Sequence, residues 1–253
     1  MKATYLAATV IIILIVFFSL NGFNSIPRNQ ATLKSNNGFA VVELFTSEGC
    51  SSCPSADKVV ADLLSKNTEN VYILSYHVDY WDRLGWKDAF SKPEFSARQS
   101  QYASLFSSES VYTPQVIVNG STEFVGSDES KLNATISNDL QKEPTSDITI
   151  STSKNNNTIA VSFDIKEENL VLLNVALVQP EATSNVKRGE NGGRILHHVN
   201  IVRSLKTLDA NGKGTINIEI PKELSNTPLE IIAFTQAKSN LKILGADKKI
   251  IGL

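Results

Sequence analysis

Two cysteines with two residues between them, Cys50-Ser51-Ser52-Cys53, join an apolar run to a segment of helical spacing. No other feature limits the fold of this chain as much. The run Ala40-Val41-Val42-Glu43-Leu44-Phe45 is short and almost wholly apolar, the pattern of a strand covered on both faces. After the cysteines, Pro54 suits a first helical turn, and Ala56, Val59, Val60, Leu63 and Leu64 recur along one helix face. Val71 to Val78 reads as a second strand. Together these predict a right-handed parallel βαβ unit with Cys50 at the helix N-terminus.

Free amide N–H groups and the positive helix end favour a thiolate at Cys50, which makes it the attacking sulfur, while Cys53 lies one turn inside and resolves a mixed disulfide. The alternative is an inert staple. A disulfide that closes so short a loop stabilises little, and a long loop is where a staple is most useful.

Further along, a helix is predicted from Pro93 to Leu105, and a strand begins near Thr113-Pro114. The Asn119-Gly120 turn returns the chain antiparallel through Glu123-Phe124-Val125. A helix with Asp128 and Glu129 in its first turn runs from Ser127 to about Gln141. From Asp147 the texture changes to strand-like runs separated by Asn, Gly, Pro and charge clusters, at 148–153, 158–165, 170–178, 195–205, 214–220, 229–235 and 241–251. The expected order is an α/β domain over 38–143 followed by an all-β, sandwich-like domain over 146–253.

The chain opens with Met1-Lys2 and an apolar stretch from Leu6 to Leu20. About 15 apolar residues suit a signal-peptide core better than a spanning helix, which needs about 20. Residues 1–20 therefore read as a signal peptide or an uncleaved N-terminal anchor, and 21–37 as a polar linker. The expected location is extracytoplasmic, with membrane contact confined to that anchor. Hydrophobic residues make up 42%, charged residues 20%, and the net charge is -2, which argues against disorder and against nucleic acid as a partner. Two cysteines are too few for a disulfide-rich scaffold, so function rests on a small site.

Cys50-Ser51-Ser52-Cys53 on a strand-to-helix turn, with Thr113-Pro114 before the third strand, resembles the thioredoxin-like fold. The longer motifs Glu43 to Pro54, His77 to Trp86, Val111 to Gln115 and Arg188-Gly189-Glu190-Asn191 resemble an exported thioredoxin-like bacterial family catalogued as a domain of unknown function, family 1223. The resemblance implies a thioredoxin-like first domain and a cis peptide bond before Pro114, with Thr113 and Pro114 facing the cysteines. The chemistry of the cysteine pair points to thiol–disulfide exchange on proteins or small thiols with an unidentified redox partner, and no organic cofactor is implied. The Ser-Ser dipeptide between the cysteines departs from thioredoxin itself, so no redox potential carries over.

Other residues have two readings each. Glu43, mid-strand, would be desolvated and could accept the Cys53 proton, or it lies at a sheet edge. Glu48 reads as solvated. His77 could join Cys50 and Cys53 as a zinc or copper ligand, but no fourth ligand is evident, a strand-end histidine is more often structural, and no metal is assigned. His197 and His198 point to opposite faces of one strand. Trp81 and Trp86 form either a substrate-contacting lip or the private core of a loop. The segment Lys187 to Arg194 is a mobile hairpin loop or a clamp that reaches the first domain, with Arg188 and Arg194 supplying positive potential near the thiolate. The competing class of function is a non-catalytic binding module with a structural disulfide.

Overall fold

The computed structural model describes residues 38–108, 110–167 and 169–252. The signal, anchor and linker readings at 1–37 lie outside these residues. Strand β1 (Ala40–Thr46) leads into helix α1 (Cys53–Ser65) and strand β2 (Val71–His77), and β1 and β2 are parallel. Helix α2 (Pro93–Leu105), strands β3 (Gln115–Val118) and β4 (Thr122–Val125) and helix α3 (Glu129–Asp139) follow, with β3 antiparallel to both β1 and β4. At the β3–β4 turn Asn119 and Gly120 both have positive φ, the backbone that an Asn-Gly pair adopts most readily.

Alternation along β1 explains the layers. Ala40, Val42 and Leu44 pack with Ala56, Val60 and Leu63 of α1 and with Leu132 and Ile136 of α3. Val41 and Phe45 face the other way, onto Phe95 and Tyr102 of α2. Both faces are apolar because both are covered, as the unbroken hydrophobic run requires.

The remaining strands are β5 (Ile148–Asn155), β6 (Thr158–Ile165), β7 (Val171–Asn185), β8 (Ile195–Ala210), β9 (Gly212–Glu219), β10 (Leu229–Gln236) and β11 (Ile243–Ile251). They correct the expected fold class. The protein is not a thioredoxin-like α/β domain followed by a separate β-sandwich. It is mostly β, with eleven strands and three α-helices among the described residues. One mixed sheet of eight strands, in the order β11-β10-β7-β8-β2-β1-β3-β4, runs through both halves. Only β5, β6 and β9 form a second sheet, which stacks on alternate residues of β7 and β10 such as Leu173, Val175, Leu177 and Ile231.

The seam between the halves is β2 against β8. It is parallel, with the single register pair Ser75 and Ile201. Side chains reinforce it: Ser75 Oγ donates to the Val199 carbonyl at 2.8 Å and Asn200 Nδ2 donates to the Ile73 carbonyl at 3.1 Å. The physical reason is the free edge of β2, whose backbone groups need partners once buried. No helix among the described residues is long and apolar enough to cross a membrane.

Candidate functional site

Cys50 and Cys53 form a disulfide with Cα atoms 5.4 Å apart, at the turn that ends β1 and opens α1. The turn is tight because the Cys50 N–H donates to the Ser47 carbonyl at 3.2 Å and the Cys53 N–H to the Cys50 carbonyl at 3.2 Å. The Ser52 hydroxyl lies 3.3 Å from Cys50 Sγ and, with the sulfur in a disulfide, is the donor. On the other side, Cys50 Sγ is 3.8 Å from the Thr113 carbonyl oxygen. The Thr113-Pro114 bond is cis. Trp81 Nε1 donates to Thr113 Oγ1 at 2.9 Å, which ties the tryptophan loop to the same point.

Cys50 is buried, with an accessibility of 1%. The cover comes from the other half of the chain. Asn191 Nδ2 donates to the carbonyls of Glu48 and Cys50 at 2.9 and 2.8 Å, and the Ser51 N–H donates to Glu190 Oε2 at 3.0 Å. Hydrogen bonds from Ser51, its side chain first and then its backbone N–H, hold the Glu190 carboxyl below the usual carboxylate range. The segment around Arg188 to Arg194 is therefore a clamp on the cysteine turn, with Arg194 Nη1 bracing Asn191 Oδ1 at 2.8 Å. Beside the clamp lies an open cleft of about 490 Å³ lined by Gly49, Trp81, Leu84, Trp86, Gly189 and Glu190.

Glu43 lies elsewhere. It shares the sheet face of Val41 and Phe45, away from α1, and its carboxylate is bound by Arg98 at 2.5 and 3.0 Å and by the Tyr102 hydroxyl at 2.5 Å. Burial opposes the charge on Arg98, but the Glu43 carboxylate outweighs it and holds the guanidinium firmly protonated. This is a buried ion pair between β1 and α2, not an acid beneath the disulfide.

One buried acid escaped the sequence reading altogether. Asp57 is on α1, one turn after Cys53, where side chains four apart are neighbours. It is buried, accepts from Thr46 Oγ1 at 2.9 Å, and its Oδ2 lies 3.4 Å from His198 Nδ1. His198 Nε2 lies 3.5 Å from Glu48 Oε1. Neither ring nitrogen of His198 has an aligned hydrogen bond, so the imidazole is held between two carboxylates by charge. Burial opposes that charge, but Asp57 and Glu48 outweigh it and raise the His198 pKa to about 9.

Glu48 is fully buried, which corrects the solvated reading. Its carboxylate accepts from Trp86 Nε1 at 2.5 Å and its N–H donates to Asp88 Oδ2 at 2.9 Å. Asp88 also pairs with His77 Nδ1 at 2.7 Å, and the His77 and His198 rings meet edge to face at 4.8 Å. His77 is thus bonded to a carboxylate and the two cysteines to each other. Among the described residues no group of three or more His, Cys, Asp or Glu side chains is placed to hold a metal ion. A signal for Asp57 existed: it falls in the buried stripe of α1 with Cys53, Ala56 and Val60. Nothing local marks Glu48, Asp88 or His198, which are 150 residues apart at the extremes, and His198 reaches the two acids only across the β2–β8 seam.

Fold and site together define a mixed-sheet protein built around a clamped, helix-opening disulfide. Residues 41–236 match the model of a family described as a protein of unknown function, DUF1223, and the chain belongs to that family. No curated protein matches it. It is similar to a crystal structure of a protein from Agrobacterium tumefaciens, at 26% identity and a TM-score of 0.65, covering 85% of this chain and 94% of that one. A DUF3823 family protein from Bacteroides ovatus aligns over 42% of this chain and 53% of its own at 19% identity, and its TM-score of 0.29 carries no argument.

Proposed function

We propose that the protein is an extracytoplasmic thiol–disulfide oxidoreductase acting through Cys50 and Cys53. The observation that carries this reading is the setting of Cys50 Sγ, at the start of α1 between the Ser52 hydroxyl and the Thr113 carbonyl. A thiolate there gains a hydroxyl donor and the positive end of a helix. In the reduced protein the Cys50 thiolate attacks a substrate disulfide, and one substrate sulfur leaves as a thiol. Cys53 then attacks Cys50 Sγ, its proton passing to the departing second substrate sulfur, and the Cys50–Cys53 disulfide is restored. His198, a cation one contact beyond Asp57, lowers the cost of the buried thiolate at Cys53. Two thiols are oxidised and one disulfide is reduced, so no organic cofactor enters. Trp81 and Trp86 border the approach to Cys50.

Cys53→Ala removes the resolving thiol. In an extract of exported proteins, or with a small disulfide, this variant should accumulate a reductant-sensitive adduct on Cys50, and Cys50→Ala should accumulate far less. Equal and negligible trapping by both variants would remove the enzyme reading. It would leave a binding module whose disulfide is structural, the reading favoured by the near-complete burial of Cys50.

A further inference from the structure

The cleft beside the disulfide has an unusual chemical lining. Trp81 Nε1 is committed to Thr113 and Trp86 Nε1 to Glu48, so neither indole offers a donor. The Gly49 N–H is taken by Ser47 Oγ at 3.1 Å. Leu84 adds hydrocarbon and is 57% exposed, an apolar surface left open to solvent. The one charged side chain among the lining residues is Glu190. Arg83, Lys87 and Arg188 are exposed neighbours in sequence but do not line the cleft. What remains is two aromatic rings, a leucine and the Glu190 carboxylate, whose Oε2 also accepts from the Ser51 N–H at 3.0 Å. Aromatic rings attract a cation through their negative faces, and a carboxylate attracts it by charge. The same set offers an anion nothing to bind, and a neutral hydroxyl only a hydrogen bond to the carboxylate, without the charge attraction.

Resting on the oxidoreductase reading, we infer that this cleft binds an organic ammonium group and selects small cationic thiols or disulfides as substrates. The ammonium group seats between Trp81, Trp86 and Glu190, and the sulfur reaches Cys50 past Gly49. Glycine at 49 and 189 keeps the cleft open. A Cβ at Gly49 would lie 3.1 Å from Trp81 Cβ, and one at Gly189 would lie 3.3 Å from Trp86 Cβ.

Both tryptophans of the chain line the cleft, so intrinsic fluorescence reports on it directly. The oxidised protein is titrated at low ionic strength with 2-(methylthio)ethylamine, a cation that cannot exchange disulfides, and with 2-(methylthio)ethanol, its neutral counterpart. The amine should give a saturable change, and the alcohol should bind at least fivefold more weakly. E190Q should weaken the amine about fivefold, and 0.5 M salt should remove most of the preference because the carboxylate is exposed. Equal binding of both compounds, no binding of either, or an amine affinity unmoved in E190Q overturns the inference. A separate arm follows oxidation of the reduced protein by cystamine and by 2-hydroxyethyl disulfide. Failure of both disulfides to form the Cys50–Cys53 bond removes the oxidoreductase reading and does not touch the binding result.

Discussion

His198 Nδ1 stands 3.4 Å from Asp57 Oδ2, so a strand from the C-terminal half supplies a cation one helical turn from Cys53. The pair fixes a pH dependence whose sign can be worked out. The folded state raises the His198 pKa from an ordinary 6.5 to about 9, so its contribution is complete below pH 6.5 and is lost as pH rises towards 9. The groups facing it are Glu48, Asp57, Asp88 and the His77 ring. The oxidised protein should lose roughly 3 kcal/mol of unfolding free energy across that window, at 1.36 kcal/mol per pKa unit. In H198Q the curve should be flat there, lower than wild type at pH 6 and converging on it above pH 9. Urea unfolding from pH 6 to 9.5 measures both.

Glu43 and Arg98 form a buried pair, and removing one partner strands the other. Arg98→Ala should cost about 3–5 kcal/mol. Glu43→Gln should also destabilise but leave the rate at which Cys53 resolves a mixed disulfide within about twofold of wild type, since Glu43 serves α2 and not α1. Stopped-flow resolution rates set against unfolding free energies separate the two effects. A resolution step slowed tenfold would return Glu43 to the chemistry.

Asn191 satisfies two backbone carbonyls on the cysteine turn. In Asn191→Ala both lose that donor, and the cover over Cys50 loosens at a cost of about 1–3 kcal/mol. Reduction of the disulfide by a bulky phosphine should quicken several-fold relative to reduction by a small dithiol. Rates that rise equally for both reagents would show a change in redox potential instead of access.

Gly126 holds Pro114 against α1. A Cβ there would lie 3.0 Å from Leu44 Cδ1, 3.1 Å from Ala56 Cβ and 3.3 Å from Pro114 Cβ, and its N–H donates to the Pro114 carbonyl at 2.9 Å. Gly126→Ala should destabilise by about 1–3 kcal/mol through overpacking, read as a shifted midpoint with an unchanged denaturant slope.

Local features of the chain were legible because local physics makes them. The helix over Pro93–Leu105 and the strand over Thr158–Ile165 fall at the predicted residues, and the Asn119-Gly120 turn makes the expected hairpin. The partner of a strand is a different matter. Ile195 to Leu205 reads as a strand from its apolar residues, but nothing in its alternation says that it will pair with β2. That choice rests on one register pair and two side-chain bonds. The site inherits the same limit. Cys50, Cys53, Thr113 and Pro114 are recognisable from short motifs, whereas Glu48 reads as a solvated turn acid until Trp86, Asp88 and His198 are brought around it.

The clamp spans 141 residues of sequence between Asn191 and the Cys50 carbonyl it binds. At about 5–20 residues per second of synthesis, the cysteines precede their cover by on the order of ten seconds. During that interval the pair faces whatever oxidant or thiol surrounds the growing chain. The redox state of the turn can therefore be set before the molecule is finished, and docking of β8 is the event that seals it.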